Sequence, residues 1–274
     1  MKAIVRLLVI TCLLLSCSSS NREKSVDRAE LSNIDYRVFQ NTPAWQLAKA
    51  VQDEDTEEID KIVSENPRII NYQDSKYGNT LLMLTIMNQQ LKSFNTLLKN
   101  GAEVNTHNTY DGTSPLIEAC SSKYYNLIFA KTLIEYGANI NDIESGKRRK
   151  GNSTRLTPLI AASKTGNLDL VKFLVMKGAD INYQNEFGQS ALSESVMVSN
   201  YEIAYYLLCN GADYNNPIFY RYDYSVPVEK SDPKDKGKPM YLTDVLKEDI
   251  SDDDTNAYKY KVLIMKFLKS KESK

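Results

Sequence analysis

The stretch "TPLIAASKTGNLDLVKFLVMKGADIN", Thr157 to Asn182, decides the fold. Thr157 can cap a helix through its hydroxyl, and Pro158 suits a first helical turn, where its missing N–H costs nothing. Ala161 and Ala162 are small enough for a neighbouring helix to approach closely. Gly166 ends this first helix. Leu170, Val171, Phe173 and Leu174 form the apolar stripe of a second one. Gly178 supplies the left-handed residue that stops it. One such pair cannot bury its own apolar face, so stacked neighbours are obligatory.

The neighbours are present. NGAEVN (100–105), YGANIN (136–141) and NGADYN (210–215) repeat the KGADIN of residues 177–182. Their glycines, Gly101, Gly137, Gly178 and Gly211, recur at intervals of 36, 41 and 33 residues. Upstream of each stands a helix-start signal: GNTLL (78–82), TSPL (113–116), LTPL (156–159) and GQSAL (188–192). Four units are clear. Degenerate ones flank them, Thr42–Ala50 with Ile59–Val63 before, and Pro239–Leu246 with Tyr260–Leu268 after.

These motifs resemble the ankyrin repeat. The resemblance spans roughly residues 42–268 in about six units. It implies an all-α solenoid of helix-turn-helix units with hairpin loops. The domain reading is a leader (1–16), a tether (17–38), an N-terminal capping repeat (39–70) and repeats at 71–105, 106–141, 142–182 and 183–215. An insertion (216–237) and a C-terminal capping repeat (238–270) complete it. A second insertion opens the 142–182 repeat and carries the basic run Lys147-Arg148-Arg149-Lys150, which is either a docking site for acidic groups or a solvated tip. Phe219, Tyr220, Tyr222 and Tyr224 alternate like a strand; they either line a partner site or cover the last repeat.

The leader has a positive start, Lys2 and Arg6, and an apolar core from Leu7 to Leu15, far short of the ~20 apolar residues of a spanning helix. Its end, Leu14-Leu15-Ser16-Cys17, resembles the bacterial lipobox, which implies lipidation at Cys17 and a bacterial envelope location, lipid-anchored and periplasm-facing, with Ser18 favouring the outer membrane. Several acyl chains hold a protein on a membrane stably. The chain has 34 basic and 35 acidic residues, and removal of Lys2 and Arg6 leaves a net charge near −3. Nucleic-acid binding, which needs a basic excess, is not indicated.

Catalytic signals are sparse. His107 is the one histidine, placed in a hairpin turn with no second histidine or cysteine nearby, and reads as a solvated turn residue. The acidic runs Asp53–Glu58 and Asp252–Asp254 lack calcium-loop spacing. No metal, cofactor, small-molecule substrate or enzymatic activity is read. Cys120 and Cys209 fall two repeats apart, roughly 20 Å at helix-packing distances, beyond disulfide reach.

The expectation is therefore a protein-binding array, monomeric when free. The resemblance places its contact surface at hairpin tips and at the end of each first helix. Tyr77, Asn79, Tyr110, Asp111, Glu186, Phe187 and Gln189 are the tip residues; Met87, Asn88, Ser121, Ser122, Lys164, Thr165, Met197 and Val198 are the helix-end residues. Aromatic and apolar groups there either meet a partner or pack on neighbouring units. Lipobox plus array resembles the ankyrin-repeat lipoproteins that serve as immunity proteins beside type VI secretion lipase effectors. That implies binding and neutralising a phospholipase in the periplasm; the alternative is a lipid-anchored scaffold or stress-protection factor for another envelope protein.

Overall fold

A computed structural model describes residues 26–122, 124, 127–146, 155–221, 237–250 and 255–272. The leader, Cys17, the basic run 147–150, Tyr222 and Tyr224, and Asp252–Asp254 lie outside the described residues. Among the described residues six helix pairs follow one another, and the chain divides into two compact units, residues 1–102 and 103–274.

The first unit contains a 3-10 turn (Tyr36–Phe39), α1 (Trp45–Gln52), α2 (Thr56–Glu65), a second 3-10 turn (Pro67–Asn71), α3 (Leu81–Met87) and α4 (Leu91–Lys99). The acidic run before α2 is a helix start. Asp55 accepts the Glu58 N–H at 3.1 Å, and Glu57 and Glu58 occupy the first turn, where the helix end is partially positive. Thr80 caps α3 by accepting from Met83 N. Every residue from Leu81 to Ile86 is buried, because α3 packs against both α1 and α4. Phe39, Leu47, Ile59 and Phe94 are fully enclosed, and each such side chain contributes about 1.5–3 kcal/mol.

One boundary differs from expectation. Residues 17–38 read as a polar tether, yet Leu31, Tyr36 and Val38 are buried, next to Phe39 of the capping repeat. The 36–39 turn packs on α1, and Asp35 opens it by accepting the Arg37 N–H at 2.9 Å. Polar residues between these side chains mask the apolar pattern in the sequence.

The second unit contains α5 (Pro115–Cys120), α6 (Leu127–Glu135), α7 (Pro158–Thr165), α8 (Leu168–Met176), α9 (Ala191–Met197) and α10 (Tyr201–Cys209). A two-stranded ribbon follows, β1 (Phe219–Arg221) with β2 (Lys238–Met240), then α11 (Leu242–Glu248) and α12 (Asn256–Glu272). The first helices of successive pairs stack, α5 on α7 and α7 on α9. Thr157 accepts from Ile160 N at 3.2 Å, as its position implies, and Gly178 follows α8 at φ 91°. Ser190 and Ser193 cap α9 reciprocally.

The last asparagine of the first three repeat motifs joins one repeat to the next. Asn105, Asn141 and Asn182 accept the backbone N–H of Asn139, Asp180 and Asp213 at 2.9, 2.7 and 2.8 Å. That function explains an asparagine at a loop position with no helical role. At the far end α12 covers α10, with Tyr205 against Tyr260 and Tyr214 edge-on to Phe267. The strand reading of the 216–237 insertion holds over Phe219–Arg221, paired antiparallel with Lys238–Met240. Pro239 and Met240, read within the C-terminal capping repeat, pair in that ribbon, and the cap's first helix starts at Leu242. Cys120 and Cys209 are free thiols; burial pushes the Cys120 thiol well above its usual range.

Candidate functional site

Three hairpin tips among the described residues are each built around one side-chain acceptor. Asp74, buried, accepts the N–H groups of Lys76, Tyr77 and Asn79 at 2.8, 2.7 and 2.8 Å. Asn108 takes those of Asp111 and Gly112, and Asn185 those of Phe187 and Gln189. Gly78, Gly112 and Gly188 then turn the chain at φ 72–78°. The tips are thereby fixed before any partner arrives, which lowers the ordering cost of binding. Sequence reading missed these acceptors, although an Asp or Asn three or four residues before the tip glycine was the visible signal.

In the first unit the tip and helix-end residues are already engaged. Lys76 Nζ donates to the Ala29 and Leu31 carbonyls at 2.8 and 2.7 Å, and the Tyr77 hydroxyl to the Leu31 carbonyl at 2.9 Å. Asn88 Nδ2 donates to the Ile34 and Leu84 carbonyls, both at 3.0 Å. Asn79 is buried, with Nδ2 3.5 Å from the Asn33 carbonyl, and Asn33 Nδ2 reaches Met87 Sδ at 3.6 Å. The Tyr36 hydroxyl donates to Gln90 Oε1, and burial pushes that phenol well above its usual range. Tyr77, Asn79, Met87 and Asn88 thus meet as one surface, but the chain's own residues 29–36 lie on it.

In the second unit the corresponding residues face outward. Phe187 is 58% exposed, Met197 53%, Val198 43% and Tyr110 41%. Glu186, Ser121 and Lys164 are exposed as well, while Asp111, Ser122, Thr165 and Gln189 are half-buried. Gln189 Nε2 donates at 2.8 Å to Glu194 Oε1, a buried carboxylate that the sequence did not single out.

His107 departs from expectation. Rather than being solvated, its Nε2 lies 3.0 Å from Asp142 Oδ2 and its Nδ1 bonds the Ser145 hydroxyl. The partners stand 35 and 38 residues downstream, so no local reading could find them. The Ser145 N–H donates to the Gly112 carbonyl at 3.0 Å, a second link between the same two loops. His107 pins the tip of one repeat to the loop that opens the next. Among the described residues no group of three or more His, Cys, Asp or Glu side chains is placed to hold a metal ion. None of the described helices is long and apolar enough to cross a membrane.

Preformed tips on stacked helix pairs define an all-α repeat array of the protein-interaction class. The chain belongs to the ankyrin-repeat family, whose profile matches residues 47–144 and 142–218. It is similar to a putative ankyrin repeat protein of Acanthamoeba polyphaga mimivirus, 38% identical over 101 residues, covering 35% of this chain and 60% of that protein. A putative ankyrin repeat protein of Fowlpox virus is 31% identical over 118 residues, 43% of this chain and 18% of that one. Alpha-latrocrustotoxin-Lt1a of Latrodectus tredecimguttatus is 28% identical over 128 residues, 47% of this chain and 8% of the toxin. The chain thus spans less than two thirds of these relatives. Ankyrin repeats are typically non-enzymatic protein-interaction modules, and a protein partner follows from the family.

Proposed function

We propose that this protein is a lipid-anchored immunity protein, whose array binds a type VI secretion phospholipase effector in the periplasm and blocks its cleft at the membrane surface. The observation that carries the binding site is the exposure of Phe187, Met197 and Val198 within one repeat of the second unit. Large apolar groups on a preformed tip and helix end lose water only when a partner covers them, and such groups concentrate binding energy. The lipobox-like Leu14–Cys17 supports the anchor and the compartment. The identity of the partner rests on the resemblance of this combination to the immunity lipoproteins.

The test is a pull-down and lipase inhibition assay with the soluble chain starting at Ser18. Stoichiometric inhibition of the lipase encoded beside this gene is expected. A lipase that neither binds nor is inhibited overturns the immunity reading; capture of an envelope enzyme instead would favour the scaffold. Separately, Cys17→Ser should move the full chain from the membrane to the soluble fraction with an unchanged melting curve. Continued membrane retention would remove the anchor from the proposal.

A further inference from the structure

The N-terminal segment has two parts held in different ways. Tyr36, Val38, Phe39 and Gln40 are buried and belong to the core of the first unit. Between Ala29 and Ile34 only Leu31 is buried, at 4% exposure, while Ile34 is 47% exposed. This outer part is held by side-chain donors of the repeat acting on its main-chain carbonyls. Lys76 takes Ala29 and Leu31, Tyr77 takes Leu31, and Asn88 takes Ile34. Its main-chain N–H groups at Glu30 and Asp35 bond within the segment, to the carbonyls of Asp27 and Ser32. Carbonyls are common to every peptide, so the surface reads a turned backbone, the end of a 3-10 turn (Arg28–Glu30) followed by a turn at 33–34, and one leucine-sized side chain rather than a sequence.

The fit is also incomplete. A cavity of about 660 Å³ lies beside the segment, lined by Ser32, Ile34, Tyr36, Gln52, Asn88 and Gln90 among others. Gln52 Oε1 is buried there without a hydrogen-bond partner. An unmet acceptor of this kind is costly until a donor reaches it.

We propose that Lys76, Tyr77, Asn79 and Asn88 form a second peptide-binding surface, with residues 29–34 as its in-chain placeholder. The external occupant is a peptide segment of a protein partner that takes the same turned conformation as residues 29–34. It carries a leucine-class side chain for the Leu31 site and a donor group a few residues later for Gln52. The tethered placeholder acts at a high effective concentration, so a partner peptide displaces it only when it adds contacts of its own. The placeholder keeps the surface covered until then. This rests on reading the array as a protein binder, but it involves neither the lipase nor the second unit.

The probe is a fluorescent peptide with the sequence of residues 26–35, titrated against the full chain and against its Leu31→Asp variant by anisotropy. The variant loosens the placeholder and should bind the peptide at least about tenfold more tightly than the natural chain, because in-chain competition is relieved. Adding Lys76→Met to Leu31→Asp should abolish that binding. Equal affinities, or no binding to a folded Leu31→Asp chain, overturn the proposal. Hydrogen exchange on the unaltered chain gives a readout independent of that variant's folding. Amides of residues 29–34 should exchange at least about tenfold faster than those of 36–40, and equal protection overturns the proposal. Failure of the lipase assay leaves both results untouched, and a negative peptide result leaves the Phe187 surface standing.

Discussion

Most of the matched repeat positions carry different chemistry in the two units. Four and three residues before the helix cap, Lys76 and Tyr77 in the first unit become Glu186 and Phe187 in the second. One residue before the cap, Asn79 becomes Gln189; at the end of the helix, Asn88 becomes Val198. The first set is made of donors, and its bonds run to carbonyls of residues 29–34. The second set joins an acid and an amide to two apolar groups, and Phe187 and Val198 are exposed. A repeat architecture fixes where side chains are presented, and the residue at each position decides whether the chain or another protein occupies them. Similar tip geometry, set by Asp74 in one unit and Asn185 in the other, therefore serves two kinds of occupancy.

The largest expected effect breaks the first unit. Phe39→Ala removes a ring with no solvent exposure from the turn that packs on α1. A loss of about 3–5 kcal/mol is expected, measured by chemical denaturation with Trp45, the one tryptophan, as reporter. A loss below about 1 kcal/mol would mean that residues 36–39 are as lightly held as 29–34, and the division of the segment would fail.

The second test acts on the other side of the comparison. Phe187→Ala combined with Met197→Ala should cost about 2 kcal/mol or more of partner binding, read by calorimetry. The melting curve should shift little, since surface changes of this kind usually stay within about 0.5 kcal/mol each. Tyr77→Phe is the matched change in the first unit. It removes only the hydroxyl that donates to the Leu31 carbonyl, and should speed exchange of residues 29–34 without altering partner affinity at the Phe187 surface. If the Phe187 and Met197 changes collapse the fold, those side chains belong to the core.

The repeats, their helix caps and the terminal pairs were legible because helix periodicity and cap chemistry act within a few residues. Both limits of Pro158–Thr165 and the end of Leu168–Met176 follow from Thr157, Gly166 and Gly178; the start of the second helix is set by Asn167, which accepts the Leu170 N–H. What escaped depends on long separations. His107 meets Asp142 and Ser145 across a repeat, and Tyr77 meets Leu31 from 46 residues away. The candidate surface was legible as a list of positions. Their occupancy was not, because the covering segment is short, polar on average and carries few apolar side chains, spread from Leu31 to Phe39.

The smallest expected effect concerns the hinge between the two parts of that segment. Asp35 opens the 36–39 turn, and the Arg37 guanidinium, 2.6 Å from its Oδ2, holds its carboxyl below the ordinary value of 3.8 against the opposing effect of partial burial. A carboxylate with a depressed folded-state pKa binds its proton first in the unfolded chain. Its contribution to stability is therefore complete above the ordinary value and is lost as the pH falls through the lowered one. Acidification from about pH 5 to about pH 3 should thus carry one loss of stability that belongs to this pair, and Asp35→Asn should remove that component by losing it already at neutral pH. Trp45, nearly buried in the helix on which the turn packs, reports the change by fluorescence-monitored denaturation at each pH. Identical pH profiles for the natural chain and Asp35→Asn would show that the turn is held by Val38 and Phe39 alone. The boundary between core and placeholder would then be set by apolar burial, with no part played by the Asp35–Arg37 pair.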